Sequence, residues 1–364
     1  MNARSMGTTA QGRVLSHWSG LHWRHHWWWM TPLVLFTGLV AGTAIGETSI
    51  PVTTVIKVLA NQLFGANYAV DRIDAGIIWS YRLSRAAVAM SCGAGLSLAG
   101  VVLQALLRNP LADPYLMGIS AGASTGAVLV AIAGVGAGVL TLSAGAMVGA
   151  IAAFALVVLL ARAAADNVSG GGGQNSNAII LAGIAGSSLF NALTAFVIAR
   201  SASAEQARGI MFWLMGNLSG VRWEDAMLAA PVALGGLLVC LWHRRTLDAF
   251  TFGIDSAASM GIAVRPIRSL LIATVALMTA VMVSMVGAIG FVGLVIPHAM
   301  RLLVSGRHTM LVPASALAGA VFLVGADIVS RILIAGQVLP IGVVTSLIGA
   351  PVFALILVRG ARSR

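Results

Sequence analysis

Charge is scarce in this chain. Of its 364 residues, 9% are Asp, Glu, Lys or Arg, against about 25% in soluble domains. So little charge cannot cover a water-facing surface on a chain this long. A soluble enzyme, a disordered chain and a nucleic-acid binder are excluded. Lysine occurs once, at Lys57, and no Gly-x-x-x-x-Gly-Lys-Ser/Thr motif contains it. The chain therefore has no phosphate-binding loop of that kind, and ATP hydrolysis must come from a partner. The 2 cysteines, Cys92 and Cys240, sit in apolar stretches, which gives neither a disulfide framework nor metal-ligand spacing. Acids are missing from the centres of the apolar stretches, which counts against an ion-coupled secondary transporter. A membrane-embedded enzyme needs clustered His, Asp or Glu there, and His298 stands alone.

What is present is apolar. Hydrophobic residues make up 59% of the chain, and glycine reaches 42 residues. The mean hydropathy is +0.94. Small residues at this level suit helices packed closely in lipid. Stretches long enough to cross about 30 Å of hydrocarbon recur at 30–46, 84–107, 114–133, 136–161, 178–199, 226–242, 268–289, 310–331 and 341–358. A shorter one lies at 291–304, interrupted by Pro297. The expected fold class is all-α: a polytopic membrane protein of about ten transmembrane helices. The formal charge of +11 then edges the spans instead of meeting nucleic acid.

The connections divide the chain. Residues 1–29 read as a cytoplasmic tail, rich in histidine (His17, His22, His25, His26), that ends in the interfacial anchor Trp27-Trp28-Trp29. Residues 30–364 form the ten-helix domain. The polar stretch 47–77 has room for a short surface helix. Ser169 to Gly173 form a flexible linker. With the N-terminus inside and ten spans, fourteen of the 22 basic residues fall inside. That bias predicts N-in and C-in. It leaves Arg82, Arg85 and Arg331 at outer helix ends. Asp327 precedes Arg331 by four residues, the favourable orientation for a helical pair. Gly118, Gly122 and Gly126 bare one helix face for close packing. His298 reads as a hydrogen-bonded structural histidine at a helix break.

Several longer patterns occur in order. They are Arg82-Leu83-Ser84-Arg85, then Arg108-Asn109-Pro110-Leu111-Ala112-Asp113-Pro114 running on to Gly118 and Gly122. Phe212-Trp213-Leu214-Met215-Gly216, Gly287 to His298, Ala326 to Arg331 and Leu339 to Thr345 follow. The chain after about residue 70 closely resembles the FecCD-type permeases of bacterial ABC importers for iron-siderophores, haem and cobalamin. That resemblance implies a type II importer permease of the bacterial inner membrane that works as a homodimer. It also implies two copies of a cytoplasmic ATPase, which holds the ATP and Mg, and a periplasmic substrate-binding protein. The chain itself then needs no cofactor. The overall pattern looks closest to haem permeases, with ferric siderophore and cobalamin as alternatives.

The resemblance also assigns roles. Residues 247–261 match the coupling loop that folds into two short helices seated on the ATPase, with Asp248, Gly253, Asp255, Ala257, Met260 and Gly261 in the pattern. Asp255 and Met260 stand where glutamate and leucine are usual. Asn109, Leu111, Ser176 and Asn177 match positions that narrow the pathway at the cytoplasmic side. Asn and Ser also serve there as helix caps. Arg82, Arg85 and Arg331 match arginines that meet glutamates of the binding protein. Their alternative reading is pairing with local acids such as Asp71, Asp74 and Asp327.

Overall fold

The structure is a computed structural model that describes residues 19–48, 50–132, 134, 141–166, 176–201 and 203–362. In chain order its helices are α1 (Ser19–Ala44), α2 (Val52–Phe64), α3 (Arg72–Gly76), α4 (Ser84–Leu106), α5 (Ile119–Ala131), α6 (Leu142–Asp166), α7 (Ser176–Ser201) and α8 (Ala204–Leu214). They continue with α9 (Trp223–Trp242), α10 (Arg244–Thr251), α11 (Ile254–Ser259), α12 (Val264–Val286), α13 (Val292–Leu303), α14 (His308–Ile332) and α15 (Ile341–Arg362). A π-helical segment, Ile77–Leu83, fuses α3 and α4 into one 35-residue rod, Arg72–Leu106. The fold is all-α. Among the described residues the expected apolar stretches are mostly helical, and α2 supplies the short helix expected within 47–77.

Six of these helices are long and apolar enough to cross a membrane. Met30–Ala44, Val52–Phe64, Ile119–Ala131, Val292–Leu303 and Ile341–Ile356 are shorter apolar helices. The stretch 114–133, expected as a single span, is broken. A 3-10 turn, Pro114–Met117, precedes α5, and Gly118 between them adopts φ +74°. The first helix starts at Ser19, inside the segment read as a tail. Residues 1–18 lie outside the described residues.

The rod's α4 portion is the axis of the bundle. Nearly all of it is buried, with α14, α9, α12 and α13 around it. A helix apolar on every side belongs in such a position. By contrast α6, α7 and α9 leave Leu159, Leu181, Phe196 and Leu238 exposed. A belt of large apolar side chains is favourable only against hydrocarbon. Backbones touch where the glycine stripe allows it. A Cβ on Gly122 or Gly126 would run into the carbonyls of Gly149 and Gly145 on α6, and one on Gly93 into the carbonyl of Gly319 on α14. Each contact gathers dispersion along a whole helix face.

One helix relates the two ends of the molecule. α14 has 25 residues, roughly 37 Å of rise. His308 opens it at the end that carries α10 and α11, and Arg331 closes it at the other.

Candidate functional site

The Arg331 end of the bundle is a buried ion cluster. Arg85 Nε donates to Asp327 Oδ1 at 2.7 Å. Arg331 Nη2 lies 3.0 Å from Asp327 Oδ2 and donates to the Gly42 carbonyl at 2.8 Å. Arg85 Nη1 also donates to the Tyr81 and Ser219 hydroxyls. Among the described residues Arg82 is in no ion pair. Its Nη1 donates to the carbonyls of Thr43 and Ala44, and its Nη2 to the carbonyl and hydroxyl of Thr48. Asp327 and the three arginines are each 3% exposed or less.

Two guanidiniums thus share one carboxylate, and Arg82 lies beside α1 on carbonyls and a hydroxyl. The missing negative charge comes from the C-terminus of α1, whose last carbonyls carry the negative end of the helix dipole. The cluster ties α1, the rod and α14 together. Beside it Trp79 and Trp223 pack with ring centroids 5.0 Å apart, and Trp223 Nε1 donates to the Trp79 carbonyl.

Arg82, Arg85 and Arg331, which the resemblance matched to binding-protein docking, lie buried at this end of the bundle. Desolvated cations need partners, and Asp327 with the α1 carbonyls already supplies them. Of the local acids considered, Asp327 takes the role, while Asp71 caps α3 by accepting from Ile73 N–H.

The opposite end holds the expected pair of short helices, α10 and α11. Leu247, Ala249, Phe250 and Ala257 are buried and seat the pair on the bundle. Asp248 Oδ1 accepts from the His308 N–H at 2.9 Å and lies 2.7 Å from His308 Nδ1, which pins α10 to the start of α14. Gly253 and Gly261 take φ +115° and +77°. These are values that L side chains rarely adopt. Gly253 makes the corner between the two helices, and Gly261 ends the second. Asp255 lies in the first turn of α11, where its charge suits the helix dipole. Asp255, Phe252 and Met260 are exposed. Two large apolar side chains, with an acid between them in the chain, are thus left exposed on this pair of helices.

The loop after α4 adjoins this pair. Leu111 N–H donates to Asn109 Oδ1 at 2.9 Å, so Asn109 shapes the turn, and Leu111 is left exposed. Arg108 has φ +50°, and its Nη1 lies 2.9 Å from where a Cβ on Gly253 would sit. Gln104 locks the loop from below. Its Nε2 donates to the carbonyls of Ala112, Gly293 and Leu294, and its Oε1 accepts from Arg301 Nη1 at 2.6 Å. Asp113 caps the 3-10 turn through Tyr115 N–H. Burial lifts its carboxyl to about 6, against the downward pull of that hydrogen bond. Ser176 and Asn177 form the first turn of α7; their side chains lie outside the described residues. Farther along α7, Gly183 lies against the Leu116 carbonyl of this loop. His298, expected to be hydrogen-bonded, has a buried Nδ1 with no partner among the described residues.

Sequence reasoning quoted Arg108 and Phe252 within their motifs without a role of their own, and missed His308 and the α1 carbonyls. The positive φ at Arg108 has no sequence signal, and His308 pairs across 60 residues.

Comparison with known proteins adds the wider frame. Residues 33–359 match the FecCD transport family. A Bacillus subtilis (strain 168) protein described as the uncharacterized ABC transporter permease protein YvrB is 38% identical over 332 residues, 90% of this chain and 92% of that one. The cobalamin import system permease protein BtuC of Halobacterium salinarum is 39% identical over 282 residues, 77% and 73% of the two chains. The vitamin B12 import system permease protein BtuC of Salmonella typhi is 38% identical over 285 residues, 78% and 84%. Among solved structures, a metal-chelate type ABC transporter in an inward-facing conformation superposes with a TM-score of 0.76 at 29% identity. It covers 91% of this chain and 98% of that one.

Proposed function

The chain belongs to the FecCD transport family, and from that premise we propose how it works and what it carries. It is a permease subunit of an ABC importer for metal chelates and not itself an enzyme, since a partner ATPase hydrolyses the ATP. In our reading two copies form the pathway in a bacterial inner membrane, with both termini inside. Two ATPase subunits sit under α10 and α11, and a periplasmic binding protein delivers cargo at the end that carries Arg85 and Asp327. The excess of basic residues on the α10–α11 side supports this orientation. The exposed surface of Phe252, Asp255 and Met260, seated by buried Leu247 and Ala257, is the observation that carries the coupling assignment. A rigid helix pair fixed to α14 through Asp248 and His308 can pass a rotation of the ATPase into the bundle as a lever.

For docking, the arginines act from beneath the outer surface. Arg82, whose hydrogen bonds among the described residues go to carbonyls and a hydroxyl, is the one able to turn toward an acidic partner without stripping Asp327. At the other end, Asn109, Leu111, Ser176 and Asn177 narrow the exit: a hydrophobic constriction plus small polar groups can close a pore without holding cargo tightly.

The cargo is a bulky metal chelate. Haem is the expectation from the overall sequence pattern, while the relatives named for cobalamin favour a corrinoid. The deciding experiment reconstitutes the chain in vesicles with its ATPase and measures ATP-dependent accumulation of labelled cobalamin and of haem side by side. Uptake of one chelate that stops without the ATPase is expected. Accumulation by the lone chain, or of neither chelate and no ferric siderophore, overturns the reading.

A further inference from the structure

The α10–α11 end of the bundle holds a cavity that the transport cycle as described does not use. It lies between α6, α7 and α12 and has a volume of about 370 Å3. Phe154, Val157 and Val158 make an apolar wall, and Arg162, Arg265 and Arg268 also line it, with no acidic residue among the lining. Arg162 and Arg265 are exposed, and among the described residues neither is in an ion pair. Arg268 is buried at 2% exposure. Arg265 lies in the first turn of α12, four residues past Gly261, so the basic part of the cavity is level with the coupling helices. On the same two helices, α6 and α7, Leu159 and Leu181 are large exposed apolar side chains, of the kind that face hydrocarbon.

We propose that this cavity binds an anionic phospholipid, with the phosphate at Arg162, Arg265 and Arg268 and an acyl chain along Phe154, Val157 and Val158. Arginine forks match phosphate oxygens, and basic pockets between helices at a cytoplasmic boundary suit anionic headgroups. A free anion would leave the apolar wall in contact with water, whereas a lipid covers both parts at once. The site sits on the first turns of the helix that continues α11. An occupied site therefore ties that lever to α6 and α7. It holds for any cargo, and its test needs no transport.

The experiment titrates the purified full-length chain in detergent with phosphatidylglycerol, phosphatidylcholine or inorganic phosphate. Bound lipid is read by native mass spectrometry. Phosphatidylglycerol is expected to bind at least tenfold more tightly than phosphatidylcholine. The Arg162→Gln/Arg265→Gln pair should weaken it roughly 25-fold, about fivefold per arginine, with phosphatidylcholine unchanged. Ser269→Trp, an exposed lining position, should block the cavity and lower binding with every charge in place. The Arg245→Gln/Arg307→Gln pair removes equal charge from the same end outside the cavity and should change binding less than twofold. Three results each overturn the proposal: equal binding of the two lipids, equal loss in the two arginine pairs, or no effect of Ser269→Trp. Displacement of phosphatidylglycerol by an equal concentration of inorganic phosphate makes this a plain anion site and overturns the lipid assignment.

Discussion

The two ends of α14 solve opposite problems. At Arg331 the helix ends in a dry cluster where Arg85, Asp327 and the carbonyls of α1 leave little exposed. At His308 it begins beside helices that are pinned at one face and bare at the other. The first end resists motion, because separating its charges leaves ions unpaired in a low dielectric. The second turns its corners at Gly253 and Gly261 and leaves Phe252 and Met260 exposed. On the coupling proposed above, one rigid rod is anchored at one end and driven at the other.

The largest expected effect breaks the anchored end. Asp327→Ala leaves Arg85 and Arg331 buried without their carboxylate, at a cost of about 3–5 kcal/mol. Thermal unfolding in detergent should show a clear loss of stability, while Asp255→Ala, on the exposed loop, should unfold as the parent does. Equal stability of the two variants would erase the contrast between the ends.

Next comes the pin at the driven end. His308→Ala removes a hydrogen bond to Asp248, a change of about 1–3 kcal/mol. Because the pin links the lever to α14, the expected readout is a higher ratio of ATP hydrolysed to cargo moved, with modest loss of stability. An unchanged ratio would reduce the pin to packing.

A smaller effect is expected at the bare face. Phe252→Ser and Met260→Ser should each weaken ATPase binding by about 1–2 kcal/mol, roughly tenfold. Permease stability should not change, since both side chains are exposed in the free chain. Affinity measured on immobilised permease checks this, and unaltered binding in both variants would move the contact surface elsewhere.

Leu111→Ala carries the smallest change. It removes one exposed apolar group next to the driven end, so a leak of small solutes up by a few-fold is expected, with folding intact. Vesicle leak assays decide it, and parental leak would remove Leu111 from the gate.

Legibility in the sequence followed the range of the interactions. The helices were readable because apolar runs and turn glycines act locally: 178–199 and 310–331 lie inside α7 and α14. The pair of short helices α10 and α11 was readable through its motif, and Gly253 and Gly261 take the backbone angles that explain glycine there. The break at Gly118 was not, because an apolar run conceals a 3-10 turn set by Asp113 and Tyr115.

By itself the sequence determined a membrane solvent, all-helical elements, the lack of a nucleotide site of the Walker type and the family pattern, since composition and short spacing carry those. Only the tertiary structure decided where Arg82, Arg85 and Arg331 point. A charge count along the chain places an arginine at a helix end. Whether that arginine faces outward depends on a carboxylate 242 residues away and on the carbonyl end of a separate helix, and these meet only when the bundle closes and desolvation forces each cation to find a partner.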